Sequence, residues 1–293
     1  MKKSILIFAL TLFVCSVLVG CKSRPLVATI HRESSGRLEP PGYFQHSEED
    51  REHAAEKLGS SCSDPAPDRA AECDELERQI LASTVRLEWH VWMEKDDGSG
   101  YTPVSANAGH ATIKEGRYLV THNHSAISLS DPKSGLLTTI SVFTAAGKPL
   151  WLDAPVELVS IVVEDAETLV LDFGSYGSEG LFAAFGLSSA EFRPWESLAL
   201  QSGQEVAQIS WDGETAEVDW VKVESVITEH GTPRLEVVNF VMPGASGGGV
   251  FWNGYHIANT WTREFVRNVH SRAILRRYSV AALNSPQVVA QLR

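Results

Sequence analysis

From Thr84 onward the chain reads as an all-β protein. Short apolar or alternating runs recur, as in Val85–Trp92, Val156–Val163 and Val218–Val223. They are rich in β-branched and aromatic residues, the composition and period of strands. Turn residues punctuate these runs. Asp96-Asp97-Gly98-Ser99-Gly100, Ala146-Gly147-Lys148 and Trp211-Asp212-Gly213-Glu214 carry the Gly and Asp chemistry that hairpin connections require. Roughly 200 residues in this pattern suit a single all-β domain.

The front of the chain is of another kind. Lys2 and Lys3 precede an apolar run from Ile5 to Phe13 that continues to Val19 and ends at Gly20-Cys21. This is an export signal, shorter than most transmembrane spans. Leu18-Val19-Gly20-Cys21 resembles the bacterial lipobox, which implies a diacylated Cys21 as mature amino terminus. A non-lipidated signal with a chance cysteine is the alternative. Two or three acyl chains, at about 0.8 kcal/mol per buried methylene, make a stable membrane anchor. The expected location is therefore outside the cytoplasm, on the outer membrane where the cell has one, since Lys22 is not the aspartate that retains many lipoproteins at the inner membrane.

Residues 21–82 read as a linker and extension. They contain Pro40-Pro41, an acidic stretch from Ser47 to Glu56, and a helical segment from Pro67 to Leu81. Cys62 and Cys73 could pair in an oxidising compartment, closing a small loop before that helix. Cys15 leaves with the signal, so nothing competes for the pairing.

Two segments of the remainder carry chemistry. Gly109 to Thr112 reads as a strand, Glu115-Gly116 as a turn, and Tyr118 to Thr121 as a second strand that ends at His122-Asn123-His124. This hairpin delivers imidazole to a loop. Much later, Pro243-Gly244-Ala245-Ser246-Gly247-Gly248-Gly249 follows a strand-like run from Leu235 to Val241 and precedes Val250 to Trp252. Glycines let the main chain be approached closely and let amides converge on one point, so Ser246 is a candidate nucleophile. A glycine-rich surface turn is the plain alternative. A serine hydroxyl needs an adjacent base, and that base needs an orienting acid.

Val120-Thr121-His122-Asn123-His124 and Gly244-Ala245-Ser246-Gly247-Gly248 together resemble the chymotrypsin-like (trypsin-like) serine peptidases. In these the base ends a hairpin strand and the nucleophile lies in Gly-Asp/Asn-Ser-Gly-Gly. The resemblance covers roughly residues 83–293. It implies two six-stranded antiparallel β-barrels, with His124 as base and Ser246 as nucleophile. Glu167-Thr168-Leu169-Val170-Leu171 is the counterpart of the acid and its buried strand, with Glu167 where aspartate is usual. Asp165, two residues upstream, is the rival acid. The order base, acid, nucleophile is that of chymotrypsin and not of subtilisin.

By the same resemblance the amides of Gly244 and Ser246 form an oxyanion hole. Phe240, Val241, Asn259, Thr260 and Trp261 would flank the substrate, although Phe240 and Trp261 read equally well as core aromatics. No acid stands where a pocket for Lys or Arg would hold one, so a modest apolar residue before the scissile bond is expected. The implied activity is serine endopeptidase, acting on protein or peptide substrates without a cofactor. Because Glu167 and Ala245 depart from the family pattern, an inactive lipoprotein that binds peptides or envelope partners is the second reading. A third is a zinc hydrolase built on His122 and His124, but no acid or further histidine follows in Ser125–Ser130. The expectation is no metal.

The 25 Lys and Arg against 37 Asp and Glu give a net charge of −12. Nucleic acid is not expected as a partner, because a polyanion requires clustered cations to displace its counterions. Ser285-Pro286 opens a short closing helix that runs to Leu292, with serine as cap and proline at the first helical position.

Overall fold

The computed structural model describes residues 62–123, 133–164, 168–174, 180, 182–229, 232–239, 241, 243–267 and 274–284. One helix, α1 (Ala70–Ala82), precedes β1 (Thr84–Glu94), β2 (Tyr101–Lys114), β3 (Tyr118–His122), β4 (Leu136–Thr144), β5 (Pro149–Pro155), β6 (Ser160–Glu164) and β7 (Thr168–Asp172). After connecting segments come β8 (Glu191–Phe192), β9 (Glu205–Trp211), β10 (Ala216–Glu229), β11 (Thr232–Val237), β12 (Gly249–Trp252), β13 (Tyr255–Arg267) and β14 (Ile274–Leu283). The tips of β13 and β14, 265–267 and 274–276, belong to a separate compact unit, and everything else described forms one body.

The strands form two sheets that repeat one winding. The second runs β12-β9-β10-β11-β14-β13-β8, and β12 also pairs with β13. Strands β9 to β14 therefore close into a six-stranded barrel in which the first pairs with the second and fourth, and the third with the sixth. The first sheet runs β5-β4-β1-β2-β3-β7-β6. Here too the first strand pairs with the second and the fourth, and the third with the last. This doubled winding is the chymotrypsin-like two-barrel fold.

Each sheet has seven strands, where six were expected. In the first, the fifth strand is broken at Val156–Leu158 into β5, which pairs with β4, and β6, which pairs with β7. In the second, Glu191–Phe192 adds a two-residue parallel pairing to Tyr255–His256. The sequence reading needs three further corrections. Val156–Leu158 forms a 3-10 turn after Pro155, so β6 starts only at Ser160. The run from Leu235 ends as strand at Val237. Helix α1 starts at Ala70, three residues after Pro67. The closing helix from Ser285 lies outside the described residues.

Strand β1 shows how pattern becomes core. Val85, Leu87, Trp89 and Val91 are buried, and the residues between them are half-buried. Alternate side chains of a strand point to one face. That face joins Ile113, Leu119, Leu169, Leu171, Phe173 and Phe182 in the first core. The Glu115-Gly116 turn is present between β2 and β3. Both residues have positive φ, 54° and 62°, as in the primed turns that match strand twist.

Residues 62–82 dock on the second barrel. Cys62 and Cys73 are joined by a disulfide, and the Cys62 amide donates to Glu205 at 2.6 Å. The Trp220 indole donates to Glu77 at 2.6 Å. Ile80 is buried with Phe192, Ala207, Ile209 and Phe251.

Candidate active site

The glycine-rich loop leads into β12 and is held on three sides. Within it, the Gly248 amide donates to the Ala245 carbonyl at 2.9 Å, closing a turn around Ser246 and Gly247. Toward the second barrel, the Gly247 amide donates to Thr260 O and the Thr260 amide to Gly248 O, both at 2.8 Å. Toward the first sheet, the His110 amide donates to Ser246 O at 2.8 Å. Ser246 is thus half-buried where the two sheets meet.

Two glycines are required by this packing. Gly247 has φ 78°, and a Cβ there would fall 2.0 Å from Thr121 Oγ1, 2.3 Å from His110 O and 3.2 Å from the His122 amide nitrogen. The loop therefore lies directly on the last residues of β3. Gly244 has φ 102°, and its Cβ would fall 2.9 Å from Cδ1 of Trp211. Among the described residues, no acceptor takes the amides of Gly244 and Ser246, whereas those of Gly247 and Gly248 are engaged. Ala245 is fully buried.

His124, Glu167, Asp165, Phe240 and Cys21 lie outside the described residues. Their described chain neighbours converge. His122, two residues before His124, pairs with Thr168, which directly follows Glu167. The same His122 amide is the one that Gly247 approaches. Strand register thus brings the chain flanking the expected base, the chain flanking the expected acid and the nucleophile loop to one end of the first sheet.

Of the residues expected to flank the substrate, Thr260 is 1% exposed and anchors the loop through its backbone. Its hydroxyl accepts from Gln208 Nε2 at 3.0 Å. Val241 is buried. The half-buried Trp261 stacks with His122, the centroids 5.7 Å apart, and carries Arg234 over its ring at 3.8 Å. Asn259 accepts from Nε2 of the fully buried His256 at 3.1 Å. Burial pushes His256 down to about 3 against the favourable bond to Asn259, so it is neutral. No cluster of three or more potential metal ligands occurs among the described residues.

Sequence reasoning missed His110 and Trp211. His110 is 1% exposed, and its Nδ1 lies 2.8 Å from Gly244 O. A carbonyl only accepts, so Nδ1 carries the proton. Burial lowers its pKa to about 4; the Gly244 bond raises it and the Arg86 charge lowers it further. Trp211 packs on the imidazole at 5.2 Å between centroids. The sequence signal was faint, a histidine inside an apolar strand and an aromatic at a turn.

No family model matches the chain, and no curated protein does. Among solved structures, the active form of the Rv3671c protease from M. tuberculosis is similar with a TM-score of 0.48 and 13% identity, over 78% of this chain and 86% of that one. Its inactive form gives 0.46 and 13%, over 78% and 96%. Identities this low carry no residue roles across, so the assignment of a chymotrypsin-like fold rests on the doubled strand winding.

Proposed function

We propose that the protein is a serine endopeptidase. Ser246 Oγ attacks the peptide carbonyl while His124 takes its proton and Glu167 orients the imidazole. The tetrahedral oxyanion accepts the amides of Gly244 and Ser246. Collapse transfers the proton from His124 to the leaving amine and leaves an acyl-enzyme. Water, deprotonated by the same imidazole, then releases the acid and restores the serine. The observation that carries this reading is the seating of Gly247 on the end of β3, two residues before His124 and opposite the strand that starts just after Glu167. Asp165 is the alternative acid for the same role.

The enzyme acts outside the cytoplasm, tethered by lipid at Cys21. The Cys62–Cys73 disulfide supports an oxidising compartment. A fluorophosphonate probe tests the activity: the wild-type protein is labelled and hydrolyses an unstructured protein substrate, and Ser246→Ala loses both. A folded wild-type protein that is neither labelled nor active contradicts the proposal and favours the peptide-binding lipoprotein.

A further inference from the structure

Resting on that reading, we infer that His110 is a positioning residue for the oxyanion hole, clamping the nucleophile loop with its main chain and its side chain at once. Its amide holds Ser246 O at 2.8 Å. Its Nδ1–H holds Gly244 O at 2.8 Å. These two carbonyls lie on either side of the peptide that supplies the Ser246 amide. With both drawn to one residue of β2, rotation at both ends of Gly244-Ala245-Ser246 is restricted, and the Gly244 and Ser246 amides keep one orientation. Preorganised donors of this kind need no rearrangement when charge develops.

The other ring nitrogen argues that this bond is why histidine stands here. Nε2 is buried and has no hydrogen-bond partner among the described residues. A buried unsatisfied acceptor is costly, and leucine in the same space would avoid that cost. His110 is therefore a poor choice for packing alone, and its Nδ1–H is the one contact that an apolar residue could not make.

Trp211 closes the clamp from the second barrel. Its indole lies against the imidazole and against the α carbon of Gly244. The Arg86 guanidinium lies over the Trp211 ring, 4.5 Å from its centroid. Arg86 of β1, His110 of β2 and Trp211 of β9 thus form one stack beside Gly244. The loop is held by His110 and Trp211 without a carboxylate at position 245.

The test compares His110→Leu, which removes the donor, with His110→Asn, whose amide nitrogen reproduces the Nδ1 position. Three readouts apply to the whole exported domain: fluorophosphonate labelling of Ser246, the kcat and KM split on a peptide substrate, and hydrogen exchange across residues 243–250. The expected result is a loss of about tenfold to a hundredfold in labelling rate and kcat for the leucine variant, a fraction of the cost of losing a donor outright. KM stays unchanged, loop exchange is faster, and the asparagine variant recovers kcat, labelling and exchange. A folded leucine variant labelled at the wild-type rate with unchanged loop exchange overturns the clamp. If the wild type is not labelled, the peptidase reading fails separately, and exchange alone decides: faster in leucine but not asparagine supports the clamp, equal in both overturns it.

Discussion

The two sheets share one winding and differ in what they enclose. The first packs an apolar interior of Val85, Leu87, Trp89, Leu119, Leu169, Leu171, Phe173 and Phe182. The second packs Val206, Val223, Leu235, Val237, Val250 and Ile257 in an apolar core and adds a buried polar chain to it. Gln208, fully buried, donates to Thr260 at 3.0 Å and to Ser279 at 3.1 Å. Asn239 donates to Gln208 and to Asp219, both at 3.0 Å. His256 is bonded to Asn259 and Asn284. Buried polar groups are costly unless satisfied, and once satisfied they specify one arrangement. The difference teaches that the second sheet anchors the loop through Thr260 from a satisfied polar network, whereas the first holds it through His110 from in front of an apolar core.

The sharpest way to break this division is at the seam. Gly247→Ala places a Cβ against Thr121 and the His110 carbonyl in a φ range closed to it. Ser246 labelling is expected to fall by at least about a hundredfold, on the scale of a lost oxyanion donor. Wild-type labelling in this variant would mean that the loop does not rest on β3.

Next in size is a paired comparison. Leu171→Ala in the first core is expected to lower the unfolding free energy by about 2–5 kcal/mol while kcat of the folded enzyme holds. Gln208→Leu in the second is expected to cost about 1–3 kcal/mol from stranded partners, and to lower kcat because Thr260 frames the loop. Denaturant titration and steady-state kinetics on both variants read the contrast. Equal loss of kcat in the two would erase the distinction between the two sheets.

A further contrast is in pH. His110 and His256 have folded-state values near 4 and 3, below the ordinary 6.5. Their neutral burial contributes stability that is fully present above about pH 6.5 and is lost as pH falls toward these values. Each adds up to about 1.4 kcal/mol per pH unit within its window. Urea titrations from pH 7 to 4 are expected to show this slope, shallower in His110→Leu. An unchanged slope would mean that His110 is not buried in the neutral form.

Much of the fold was legible because alternation is a local signal. The β1 core face and the Glu115-Gly116 turn follow from neighbours in sequence. What was not legible depends on distant partners. Residues Val156–Leu158 are apolar enough for a strand, yet they turn because Pro155 precedes them and β5 has to reach β6. The division of the fifth strand rests on β5 pairing with β4 and β6 with β7, which composition does not encode. At the site, Ser246 announced itself through its glycines. His110 did not, because its role exists only where Gly244, 134 residues away, folds against it.

The most direct measurement is a crystal structure of the phosphonylated enzyme. The account predicts phosphorus bonded to Ser246 Oγ, the phosphonyl oxygen within hydrogen-bond distance of the Gly244 and Ser246 amides, and His124 facing the serine oxygen with Glu167 behind it. A folded protein in which no adduct forms on Ser246, or an adduct whose oxygen points away from both amides, would contradict it.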